Sequence, residues 1–141
     1  MQYNDEFYEN CVHAFEENIK NMFYGDMKQV IRLCAFMDHG SFRLSYEYIP
    51  LKYTITIESE MRTFDIRIED EEKASTHLWR IEKHENTLNE KNIYDAICLL
   101  KKALNMDDID LYIYTDKKVY VKNKQEVKRV KNWRALVDEW I

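Results

Sequence analysis

Only two glycines and one proline occur in the 141 residues. Phosphate-cradling loops and nucleophile elbows depend on glycine, because the backbone must turn sharply or approach a ligand closely. Gly25 and Gly40 each stand alone, so the chain carries no glycine-rich loop of either kind. Cysteine is equally sparse. Cys11, Cys34 and Cys98 form no C-x-x-C pair, which argues against a zinc knuckle or a thioredoxin-like motif and predicts three buried or half-buried thiols. No apolar run approaches the roughly 18 residues of a membrane span, and Met1–Glu6 lacks the basic and apolar pattern of a signal peptide. The expectation is a cytoplasmic protein with no membrane association.

What is present is a globular composition. Hydrophobic residues make up 45%, with ten Tyr, six Phe and three Trp, enough to exclude a disordered chain. The length suits one domain spanning 1–141. Net charge is −5, unevenly distributed: residues 1–116 carry 13 basic against 23 acidic side chains, and residues 117–141 carry 8 against 3. An acidic body attracts basic partners and repels nucleic acid, while a basic tail does the reverse.

Periodicity divides the chain into an α+β order. Residues 4–23 place Tyr8, Cys11, Val12, Phe15, Ile19, Met22 and Phe23 on one helical stripe, with Asn4 or Asp5 available as cap and Gly25 as terminator. Residues 27–37 fit either a helix face or the first arm of a hairpin turning at Asp38–Ser41, and the strand is favoured. Strands are expected at 42–49, 53–58 and 63–69. A fourth is expected at 76–84, with Leu78, Arg80 and Glu82 opposite Trp79 and Ile81. Such alternation indicates an antiparallel meander with one wet face. Residues 90–104 form a helix, capped by Asn89 with a Leu88–Ile93 staple or by a competing Thr87–Glu90 box. A C-terminal hairpin, Ile109–Val121, turns at Asp116–Lys117, and a short closing helix after Asn132 carries Trp133, Leu136, Val137 and Trp140.

Catalytic constellations are thin. His77 and His84 lie seven residues apart on one expected strand, and so on opposite faces, which argues against a shared metal. Asp107, Asp108 and Asp110 lack the glycine and the glutamate of a calcium loop. Cys98 sits in a helix interior rather than at the N-terminus that activates a thiolate. Asp65 and Glu82 read as solvated strand carboxylates. No catalytic residue, cofactor or metal is expected.

Two surface patterns remain. Lys117, Lys118, Lys122, Lys124, Lys128, Arg129, Lys131 and Arg134 surround Tyr112, Tyr114, Tyr120 and Trp133, as in a phosphate-gripping stripe or a lysine-protected edge hairpin. Acidic clusters at Asp70, Glu71, Glu72 and at Asp107, Asp108, Asp110 stand beside Tyr112 and Tyr114, a combination suited to recognising a basic protein.

In layout the chain resembles the small cytosolic immunity proteins (antitoxins) that bacteria pair with polymorphic toxins. The shared features are the N-terminal amphipathic helix, the turn at Asp38–Gly40, the meander, the mid-chain helix, the Ile109–Val121 hairpin and the closing helix. The resemblance implies a non-enzymatic inhibitor, monomeric or homodimeric, that covers a toxin (a nuclease among the candidates) with an acidic, aromatic surface. Asp70, Glu71, Glu72, Asp107, Asp108, Asp110, Tyr112 and Tyr114 would form that surface. A nucleic-acid-binding module using the 117–134 stripe, or a phage inhibitor of a host defence complex, is the alternative.

Overall fold

The computed structural model describes residues 4–106, 108–115 and 117–130. Among the described residues, eight strands form one sheet in sequence order, with every pairing antiparallel. They are β1 (Met27–Ala35), β2 (Ser41–Tyr48), β3 (Tyr53–Glu60), β4 (Thr63–Glu69), β5 (Ser75–His77), β6 (Leu111–Thr115), β7 (Lys118–Lys122) and β8 (Val127–Arg129). Helices α1 (Asp5–Phe23), α2 (Leu78–Ile81) and α3 (Glu90–Leu104) complete the α+β fold. The closing helix expected after Asn132 lies outside the described residues, as do Asp107 and Asp116.

The first helix forms where its stripe predicts. The Asn4 side chain accepts the Phe7 N–H at 2.9 Å, and Tyr8, Cys11, Val12, Phe15, Ile19 and Phe23 are buried. Its end differs from expectation. Tyr24, not Gly25, takes the positive-φ position (φ 53°), with its N–H bonded to the Lys20 carbonyl. Asn89 caps α3 by accepting the Asn92 N–H at 2.8 Å, which selects it over the Thr87–Glu90 box. Both helices bury one stripe against the same sheet face. Phe15 packs edge-on against Phe42 and Phe64, and that cluster continues through Leu44, Ile55, Ile57, Ile66 and Ile68 to Ile93, Ile97 and Leu100 of α3.

Residues 27–35 are a strand, and an edge strand. The pairing of β1 with β2 slips at Val30, which sits in a bulge between Gln29 and Ile31. Being at the edge leaves Ile31, Leu33 and Cys34 exposed, so the expectation that all three thiols are covered fails at Cys34. Bulges and charged side chains such as Lys28 and Arg32 are devices that blunt edge pairing.

Gly40 is required twice over. Its φ is +72°, and a Cβ there would lie 2.1 Å from the Tyr8 ring. The hairpin turn thus packs directly onto α1. Gly25 has open space around it and carries no such demand.

Two expectations need correction. The strand foreseen at 76–84 ends at His77, because Leu78 turns into the core and is fully buried, starting the single-turn helix α2 whose Glu82 N–H closes on the Leu78 carbonyl. His77 and His84 therefore do not share a strand, and Glu82 is not a strand carboxylate. The C-terminal hairpin is in turn extended by β8, whose Val127-Lys128-Arg129 run gives no alternating apolar signal.

Candidate functional site

The acidic segments 69–72 and 107–110 are far apart in sequence, yet Asp70, Glu72, Asp108 and Asp110 all reach the β7–β8 connection. Asp70 directly follows β4 and is mostly buried. Its Oδ1 accepts the N–H groups of Glu72 and Ala74, each at 2.9 Å, which shapes the β4–β5 turn. Its Oδ2 binds Lys122 Nζ at 2.8 Å, and Glu72 Oε2 lies 3.1 Å from the same ammonium. One turn further, Asp108 Oδ1 accepts the Lys124 N–H at 2.9 Å, and Asp110 Oδ1 accepts from the Asn123 amide at 3.3 Å. The hydrogen bond to Asp70 raises the Lys122 pKa, favouring its charged form. Burial raises that of the neighbouring Tyr53 hydroxyl, and the Asp70 and Asp108 carboxylates add to the effect.

Not all these acids have the same job. Asp70 and Asp108 are occupied in holding turns together. Glu71 and Asp110 are exposed, and the Glu72 side chain is 76% exposed. Asp107 lies outside the described residues. The register places Tyr112 and Tyr114 on the sheet face opposite Leu111 and Ile113, across from Val121 and Val119. That agrees with their expected outward orientation, but it separates them from Asp70 and Lys122, which share the helix-side face. Tyr112 lies under the Arg80 guanidinium, 5.5 Å from its ring centroid, while burial lifts the Tyr114 hydroxyl to about 12. The eight nominated residues therefore occupy two places: an acidic end and an aromatic patch on the open face.

The basic stripe is partly spent internally. Lys122 is paired with two carboxylates, while Lys117, Lys118, Lys128 and Arg129 are exposed.

One concave feature escaped the sequence reading. A groove of about 880 Å³ crosses the open sheet face, with Arg43, Glu58, Asp65 and Arg67 on its floor and His77 and Trp79 along one wall. Arg43 and Glu58 form an ion pair at 3.7 Å, and Asp65 Oδ2 shares a hydrogen bond with His77 Nδ1 at 2.7 Å. His77 stacks on Trp79 with ring centroids 5.6 Å apart. Three registers bring these residues together: Arg43 lies opposite Glu58, Glu58 opposite Asp65, and Arg67 opposite His77. No motif spacing encodes them.

Cys11 is buried, and burial pushes its thiol up to about 11, so it stays protonated. Cys98 Sγ packs 3.9 Å from the Met22 sulfur. Among the described residues, no helix is long and apolar enough to cross a membrane. No family model matches the chain, and neither the curated proteins nor the solved structures give a match.

Proposed function

We propose that the protein is a non-enzymatic binding protein of the immunity type, one that neutralises a basic partner by covering it with the acidic end of the sheet. The partner class is a cognate bacterial toxin, a nuclease among the candidates, whose polyanion-attracting site would accept carboxylates in place of phosphates. The observation carrying this reading is the convergence of segments 69–72 and 108–110 on one end of the fold. Internal carboxylates there (Asp70 and Asp108) fix the turns from which exposed Glu71, Glu72 and Asp110 project. Acids held on rigid turns lose little entropy on binding, and they steer a basic partner from a distance.

The test is co-expression with basic proteins encoded beside this chain. Rescue of growth and co-purification by the native protein, both lost in Glu71→Lys/Glu72→Lys, support the reading. Rescue that survives the double reversal contradicts the assigned surface.

A further inference from the structure

Strand β1 closes one edge of the sheet, and among the described residues β2 is its single strand neighbour. Residues directly opposite each other in an antiparallel pair share a face. Ile31, Leu33 and Ala35, opposite Ser45, Arg43 and Ser41, therefore stand on the open face, where all three are exposed. Arg32 and Cys34, opposite Leu44 and Phe42, stand on the helix side. Backbone direction alternates as well. The Phe42 N–H meets Ser59 of β3, and the Ile49 N–H meets the Asp26 carbonyl just before β1. Odd residues of β2 thus bond to β1 through Ile31 and Leu33, and the N–H and C=O groups of Arg32 and Cys34 point outward from the edge. The devices that blunt an edge miss this stretch. The Val30 bulge and Lys28 precede it, and Arg32 is turned back to α1, with its Nε 3.1 Å from Glu16.

We propose that residues 31–35 pair with the same residues of a second copy of this chain, antiparallel across a two-fold axis at Leu33. A two-fold contact needs a surface complementary to itself, and this stretch is symmetric in character about Leu33. On the open face Leu33 meets its own counterpart in a non-hydrogen-bonded pair, where side chains come closest, and Ile31 meets Ala35. At the edge, Arg32 of each copy exchanges both backbone hydrogen bonds with Cys34 of the other. Charge favours this register over one centred on Arg32. There the cation would face itself, whereas here it faces an uncharged thiol. Pairing also takes Leu33 and Ile31, 59% and 40% exposed, out of water. The contact is short, so dimerisation is weak, with a Kd on the order of 10–100 µM. It uses none of the acidic end, which gathers at the β7–β8 connection near the opposite edge, so each reading stands if the other fails.

The experiment is sedimentation velocity of the full chain between about 1 µM and about 1 mM. A concentration-dependent shift from monomer to dimer, abolished by Leu33→Lys at an unchanged melting temperature, supports the proposal. The introduced charges meet on the axis, while the exposed position leaves the fold intact. Register is read by cross-linking with oxidised glutathione. Leu33→Cys in a Cys34→Ser background is expected to form a covalent dimer, since the paired Cα atoms lie about 4.5 Å apart. Ile31→Cys in the same background faces Ala35 and should stay at the level of Cys34→Ser alone, whose other thiols are buried or half-buried. A chain that stays monomeric at about 1 mM overturns the proposal and leaves the edge to a strand of a different protein. So does a dimer that survives Leu33→Lys, or cross-linking through Ile31→Cys that equals that through Leu33→Cys.

Discussion

Asp70 and Lys122 meet at 2.8 Å across 52 residues of sequence, tying the β4–β5 turn to β7. The same carboxylate also takes two backbone N–H groups, so its removal strands three donors at once. Asp70→Ala is expected to cost about 2–4 kcal/mol, as for breaking a largely buried, hydrogen-bonded charge pair. Glu71→Lys, on the exposed tip of the same turn, should stay within about 0.5 kcal/mol of the native protein. Urea unfolding of the two variants checks both values, and together they separate the structural acid from the exposed ones.

Gly40 and Tyr8 are in contact in a way that tolerates no side chain at position 40. Gly40→Ala combines a positive φ with an overlap onto the ring, and a loss of about 2–4 kcal/mol is expected. Tyr8→Ala in the same chain removes the overlap but not the backbone strain. The double variant should therefore be less destabilised than the sum of the single changes, as a double-mutant cycle will measure.

Tyr46 is buried beneath α1. Burial lifts its hydroxyl from the ordinary value near 10 to about 12, with nearby Glu16 adding to the effect. The neutral form is favoured in the fold, so this contribution is fully present below pH 10 and disappears as the pH rises from 10 to 12. An alkaline loss of roughly 2–3 kcal/mol from this residue follows. In Tyr46→Phe the fall in stability between pH 9 and pH 12 should be smaller by that amount, measured by denaturant unfolding at each pH.

Thr76 is buried on the core side of β5, opposite Ile68, and among the described residues its hydroxyl has no hydrogen-bond partner. Replacing a lone buried hydroxyl with a methyl group of similar shape removes a desolvation cost. Thr76→Val is expected to stabilise the protein by about 0.5–1.5 kcal/mol. A lower melting temperature would contradict that assignment.

Much of the architecture was legible because its elements advertise themselves locally. The stripes at Tyr8–Phe23 and Ile93–Leu104 have helical spacing. Ile55–Ile57 and Phe64–Ile68 alternate in sequence, since their apolar side chains all lie on the sheet face that packs against α1 and α3. The failures arose where tertiary packing overrode local pattern. Alternation through 76–84 concealed the turn of Leu78 into the core, and the charged β8 depends on pairing with β7 rather than on its own composition. For the site, acidic clustering was visible, but its division of labour was not. Nothing in the order Glu69-Asp70-Glu71-Glu72 reveals that Asp70 faces Lys122 while Glu71 faces water. The open-face groove was invisible for a related reason: it is assembled across five strands and a helix.

The most direct test measures affinity for a basic partner obtained by co-purification, comparing the native chain with Glu71→Lys/Glu72→Lys at matched thermal stability. A fall of about 100-fold, concentrated in the association rate and steeply reduced by salt, is the predicted result. Unchanged affinity and salt dependence in a folded double variant would show that the acidic end is not where the partner is held.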